Sequence, residues 1–218
     1  MAESGAEAIG ANTLLIRVGA YYHDIGKIKH PEYYVENQIY TSNKHETLSP
    51  SMSSLILASH VKDGLALADE IKLGPKVAAL IPQHHGTRVM TYFYRKAKEA
   101  AADKNVEVSE NDFRYPGPKP QGKEAAILML ADQVEAAART LQEPTPGQIR
   151  GLINRVTQAT IQDGQLDECD ITMKDLSKVE RAFERVLTGI YHHRIEYPGF
   201  NFNKPQVEER EAESQSVQ

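Results

Sequence analysis

YYHDIGK, Tyr21–Lys27, sets a histidine directly against an aspartate in a segment that otherwise reads as the end of a buried helix. On its own a His-Asp pair is most often a surface turn or a satisfied core hydrogen bond, so the rest of the chain has to decide its meaning. Upstream, apolar residues recur at helical spacing, and residues 12–26 (NTLLIRVGAYYHDIG) read as a helix ended by Gly26. Downstream, His30–Leu48 is a long polar connection, and Pro50 opens a helix running to Ile71.

The same periodicity continues, and no run of alternating strand residues interrupts it, so the chain is expected to be all-α, a helical bundle. Gly74–Gly86 (GPKVAALIPQHHG) forms a short helix with Pro75 in its first turn, and Tyr92–Lys104 an amphipathic one. Phe113–Gly122 (FRYPGPKPQG) is a rigid loop. Lys123–Leu141 (KEAAILMLADQVEAAARTL) is the most apolar helix, with Asp132 near its middle. Thr145 and Pro146 read as a cap and first helical residue, and Thr172 with Asp175 as a capping box before the last helix. Beyond Tyr197 the chain turns polar, and residues 199–218 are expected to be a disordered tail.

Bulk properties narrow the function classes. The chain has 218 residues, 40% hydrophobic and 25% charged, enough for a substantial core. The single cysteine, Cys169, permits neither a disulfide framework nor a cysteine zinc site and suits a reducing cytosol. No apolar run approaches the roughly 20 residues that span a bilayer, so no membrane contact is expected of the chain itself. A net charge of -5 argues against binding a nucleic-acid polymer.

Of eight histidines, His23, His60, His84 and His85 fall on or beside helices among apolar neighbours, whereas His30 and His45 sit in the polar connection. Four such histidines with Asp24 and Asp132 are a heavy polar load for one core, and a shared metal removes the difficulty. A nitrogen and oxygen donor set without sulfur leans toward manganese or iron. Adjacent donors, His23-Asp24 and His84-His85, project about 100° apart on a helix, so each pair could address two neighbouring ions.

An HD pair followed by distant H, HH and D is the ligand order of the HD-domain metal-dependent phosphohydrolases. Val18–Lys27 (VGAYYHDIGK), ENQ at 36–38, LSPS at 48–51, SHVKDG at 59–64, QHHGT at 83–87, DFRYPGPKPQ at 112–121, Lys123–Ala137, DGQLDECD at 163–170 and HRIEYP at 193–198 together resemble the cytoplasmic domain of the seven-transmembrane HD family. The likeness covers about residues 4–198, which gives an HD domain over residues 1–198. The HD-GYP relatives that cleave cyclic di-GMP carry a longer signature after the paired histidines, which RVMTYFY at 88–94 is not.

The resemblance implies hydrolysis of cyclic di-AMP to pApA by two divalent ions, manganese or iron, which activate a water for in-line attack on phosphorus. It makes His23, Asp24 and Asp132 ligands on one side and His60, His84 and His85 ligands on the other, with Asp24 bridging. Lys27 would face the substrate phosphate; its ordinary reading is a solvated lysine at a helix end. Asn37, Arg114 and Tyr115 are candidates for the nucleotide pocket, and Arg114 and Tyr115 could equally just anchor the Pro-Gly loop. His192-His193 read as a solvated helix end.

The family carries a further ligand histidine on a preceding helix, and no histidine occurs before His23, while MAESGAEAIGAN resembles the middle of that helix. The expectation is therefore a sequence that begins inside that element, or a degenerate member, with the first metal site weakened. Two alternatives to a phosphodiesterase stay open: a module that binds metal or nucleotide without efficient turnover, and a nucleotide phosphohydrolase. The family also implies a parent protein anchored at the cytoplasmic face of the bacterial inner membrane. It leaves the oligomeric state unspecified.

Overall fold

A computed structural model describes residues 1–38, 43–102 and 107–191; the expected disordered tail and His192-His193 lie outside them. The helices in chain order are α1 (Ala2–Ile9), α2 (Thr13–Tyr22), α3 (Pro50–Glu70), α4 (Pro75–Ala78), α5 (Leu80–Gln83), α6 (Thr91–Ala101), α7 (Lys123–Ala138), α8 (Pro146–Gln162) and α9 (Met173–Tyr191). Short 3₁₀ turns connect them, and among the described residues the β-structure is one isolated bridge, Val89 to Arg114. The fold is all-α, and no described helix is long and apolar enough to cross a membrane.

The bundle is organised around α7. Every residue from Ala125 to Ala131 is buried, as are Gln133, Val134 and Ala138, which is the pattern of a helix enclosed on all sides rather than one with a single apolar stripe. α1, α2, α5 and α8 surround it. α9 shows the contrasting pattern: Leu176, Val179, Phe183 and Leu187 recur at one face and pack against α1 and α8. Ile16, Leu80, Ile127, Val134, Ile153 and Phe183 belong to this shared core, and each contributes about 1.5–3 kcal/mol when fully buried. Met90, Phe93 and Phe113 form a smaller cluster on the flank.

The helix starts follow their local sequence. Asn12 accepts from Leu15 N, and Ser49 from Met52 N ahead of Pro50. Thr145 and Gln148 close a full capping box, and Thr172 and Asp175 exchange the same pair of bonds, Thr172 N to Asp175 Oδ2 at 3.2 Å and Asp175 N to Thr172 Oγ1 at 3.1 Å.

Three expectations need correcting. The helix over 12–26 does not run to Gly26: α2 ends at Tyr22, and Ile25–Lys29 tightens into a 3₁₀ turn. Gly26 is instead the point where that turn meets α3, since a Cβ there would lie 1.9 Å from His60 O and 2.5 Å from Gly64 N. Gly74–Gly86 holds two short helices rather than one, interrupted at Ala79; Pro82 has no N–H to donate back to Ala78. His45, placed in a polar connection, is only 6% exposed, with Nε2 2.9 Å from Tyr33 O and its ring against Phe93.

Candidate metal centre

Asp24 stands at the junction of four elements. The Gly26 contact draws the turn after α2 onto the middle of α3, where His60 is 1% exposed. α5 ends at Gln83 and delivers His84 and His85, and α7 contributes Asp132. The result is two donor groups that share one carboxylate: Asp24 with His60, His84 and His85, and Asp24 with His23 and Asp132, the donor atoms of each lying within 4.8 Å of one another. Asp24 Oδ1 is 3.5 Å from His60 Nε2 and 3.6 Å from His84 Nε2, while Oδ2 is 3.3 Å from His23 Nε2. His23 Nε2 lies 3.8 Å from Asp132 Oδ1.

Backbone carbonyls set the histidine tautomers. Nδ1 of His23, His60 and His84 sits 2.9, 2.5 and 2.5 Å from the carbonyls of Ala20, Leu57 and Ile81, three residues earlier in each case, so these nitrogens carry protons, and Nε2 of His60 and His84 is left as a lone-pair donor. Among the described residues, the buried atoms Asp24 Oδ1, His60 Nε2, His84 Nε2 and His85 Nδ1 have no hydrogen-bond partner. Unpartnered buried polar atoms are costly, and four of them converging on one point fit a divalent cation.

The electrostatics point the same way. Burial pushes His60 down to about 4, with His84 adding to the effect, and burial drives His85 well below the usual imidazole value, so both hold their neutral form. Burial alone would also lower His23, but hydrogen bonds to Asp132 and Asp24 outweigh it and raise the group to about 10. Asp24 resists its own burial because His23 and His84 hold it far below the carboxylate range. Asp132 is lowered too, its burial outweighed by His23. Without a cation, His23 holds a proton between two carboxylates, and a cation held by His23, Asp24 and Asp132 would take that proton's place.

Lys27 Nζ is 2.7 Å from Asp24 Oδ2 and 2.6 Å from Glu36 Oε1, at the mouth of a cleft of about 350 Å³ also lined by His23, Asp132, Glu135 and Arg139. Burial disfavours its charge, but Asp24 and Glu36 more than restore it. Tyr115 stacks on His85 with centroids 4.0 Å apart and planes at 17°. Arg114 lies apart from the cluster: it donates to Thr87 O at 2.7 Å, Glu110 at 2.6 Å and Asp163 at 3.1 Å, the bonding of a loop anchor. Asn37 donates to Pro31 O at 3.1 Å and holds its own turn.

Sequence reasoning passed over Glu36, one position before Asn37 in ENQ, although Glu36 is the residue that reaches Lys27. It also passed over Gln165, fully buried in the DGQLDECD stretch. Gln165 Oε1 accepts from Thr87 N at 2.9 Å and its Nε2 donates to Thr87 Oγ1 at 3.0 Å, which clamps the turn just after His85. Gly86 adopts φ 56 there, and a Cβ would meet Gln165 Oε1 at 2.4 Å, so glycine is required on both counts.

Comparison with known proteins agrees with this architecture. The HD domain family model matches residues 1–137. A cyclic-di-AMP phosphodiesterase PgpH of Bacillus subtilis is 47% identical over 198 residues, covering 91% of this chain and 27% of that protein. The Listeria monocytogenes protein of the same name is 46% identical over 198 residues, again with 91% and 27% covered. This chain thus spans about a quarter of the length of those relatives. The crystal structure of the L. monocytogenes phosphodiesterase PgpH HD domain in complex with cyclic di-AMP superposes with a TM-score of 0.83 at 45% identity, covering 90% of this chain and 89% of that one. Its HD motif at His23-Asp24, its helical architecture and these matches make the chain a member of the HD domain family.

Proposed function

We propose that this chain is a metal-dependent phosphodiesterase domain that hydrolyses a cyclic dinucleotide, cyclic di-AMP, to the linear pApA. The observation that carries the reading is the carboxylate of Asp24 shared between two donor groups, in one of which the buried nitrogens of His60, His84 and His85 and Asp24 Oδ1 have no hydrogen-bond partner among the described residues. His60, His84, His85 and Asp24 would hold one divalent ion and His23, Asp132 and Asp24 the other, manganese or iron by the mixed nitrogen and oxygen character of the set. Such a pair supplies an activated water and neutralises charge on the phosphoryl oxygens.

The chain's own residues do the rest. Lys27 presents a fixed ammonium to a phosphate entering the cleft, and Glu36 keeps that ammonium charged and aimed. The substrate assignment draws on the names of the two PgpH relatives and on the solved complex with cyclic di-AMP. The family resemblance also supports reading the domain as part of a longer protein anchored at the cytoplasmic face of a membrane.

A second reading, a module that holds metal or nucleotide without efficient turnover, is favoured by one observation: among the described residues the His23 side offers three donors against four on the other. One experiment separates the two. Purified chain loaded with manganese or iron is incubated with cyclic di-AMP, pApA is measured by chromatography, and metal content is measured alongside for wild type and Asp24→Ala. The phosphodiesterase reading expects pApA from wild type and loss of both ions and of product in the variant. Metal without product supports the binding module, and a variant that keeps both ions refutes the shared carboxylate.

A further inference from the structure

Tyr34 sits between the 3₁₀ turns Pro31–Tyr33 and Val35–Asn37, and among residues 31–38 it alone is buried. It is 4% exposed, whereas Val35 beside it is 74% exposed. The buried ring docks this segment on the metal centre. It meets the His60 ring edge-on, with centroids 6.0 Å apart and planes at 88°.

The same ring supports Lys27. Lys27 Nζ lies 5.1 Å from the Tyr34 ring centroid, within reach of a cation–π contact. Asp24 Oδ2 and Glu36 Oε1 stand 2.7 and 2.6 Å from the same ammonium, so three groups hold it, and two of them, Tyr34 and Glu36, come from this one segment. An ammonium on a flexible four-carbon stem is a mobile point charge, which either carboxylate alone could draw aside. A ring face attracts it without adding a negative charge for an incoming phosphate to oppose. The Tyr34 hydroxyl contributes little, because 3.4 Å to Ile56 O is long for an O–H···O bond.

We propose that Tyr34 is a positioning residue for the phosphodiesterase reaction, its ring face holding the Lys27 ammonium where a substrate phosphate meets it and tying that ammonium to the His60 side of the metal centre. This rests on the cyclic-dinucleotide reading given above. Tyr34 is assigned no contact with metal or substrate; it acts through Lys27.

The test is a double-mutant cycle on metal-loaded chain, in which pApA formation from cyclic di-AMP and metal content are measured for wild type, Tyr34→Leu, Lys27→Ala and the double variant. Tyr34→Leu keeps an apolar side chain but removes the ring face, so kcat is expected to fall about three- to tenfold with metal content unchanged. Tyr34→Phe, which keeps the ring and drops only the long bond to Ile56 O, is expected to recover most of that loss. In the Lys27→Ala background Tyr34→Leu should change turnover by less than about twofold, because the group it acts through is gone. Should Tyr34→Leu not fold, Tyr34→Met takes its place as a flexible filler of the same space.

Turnover of Tyr34→Leu equal to wild type overturns the proposal, and so does the same loss in both backgrounds, which would mean that Tyr34 acts apart from Lys27. Loss of metal in Tyr34→Leu also overturns it, since the ring would then serve His60 alone. A Tyr34→Phe variant as slow as Tyr34→Leu does the same by moving the role to the hydroxyl. Where Lys27→Ala is too slow to follow, equilibrium binding of a cleavage-resistant phosphorothioate analogue of cyclic di-AMP to the same chains is read by the same criterion. A wild type that neither cleaves cyclic di-AMP nor binds the analogue shows that the dinucleotide reading itself has failed, and the role of Tyr34 falls with it; an additive cycle in an active wild type overturns the role of Tyr34 alone.

Discussion

Replacing Gly26 by alanine tests whether the close approach of two backbones builds the metal centre. The added Cβ would sit 1.9 Å from His60 O and 2.5 Å from Gly64 N, and neither obstacle is a side chain that can swing aside. The turn and α3 must separate by about 1 Å or more, which puts the cost at or beyond the upper end of the roughly 1–3 kcal/mol typical of overpacking. In a chain of this size about 1 kcal/mol moves the melting temperature by roughly 2–4 °C, so a fall of about 6–12 °C is expected. The same displacement widens the 3.5 Å gap between Asp24 Oδ1 and His60 Nε2 and weakens any ion bridging them, by about tenfold or more. Differential scanning calorimetry with metal titration reads both effects. Gly151→Ala is the control: it lies inside α8 with only the Arg155 side chain at 3.4 Å and should gain about 0.5–1 kcal/mol. If Gly26→Ala melts within about 2 °C of wild type and binds metal as tightly, the close approach does not position Asp24 and this reasoning is wrong.

Three further outcomes are expected. Lys27→Ala should keep both ions while lowering turnover of cyclic di-AMP about 100-fold, the scale for removing one electrostatic stabiliser, and loss of metal in that variant would show Lys27 to be structural instead. Gln165→Leu strands Thr87 N in the interior and frees the turn after His85, so metal affinity measured by competition with a chelator should fall about 10- to 100-fold; unchanged affinity would contradict the clamp. Asp175 is held below the ordinary carboxylate value, chiefly by Lys123 and then by the Thr172 cap bonds. A depressed pKa gives stability that is present above the unfolded value of about 3.9 and lost as pH falls through the lower folded value. Asp175→Asn should therefore melt lower than wild type at pH 7, with the difference closing in acid, and a difference independent of pH would exclude the ionised carboxylate as its source.

What the sequence settles here is what is local or compositional. Thr145 with Gln148, and Thr172 with Asp175, satisfy N–H groups within three residues, so those helix starts are legible in the chain. The central place of α7 follows from an apolar run with no polar face, because only a helix enclosed on all sides can bury one. The four histidines and two aspartates stand out because an unmetallated core has no use for so many. Tertiary structure decides the rest, because it depends on partners distant in the chain. Gly26 reads as a helix stop until α3 is laid against it, and Glu36 and Asn37 cannot be told apart until the fold carries one to Lys27 and turns the other back to Pro31. Gln165 looks like one more polar residue in an acidic loop, yet it lies 78 positions from the Thr87 it clamps.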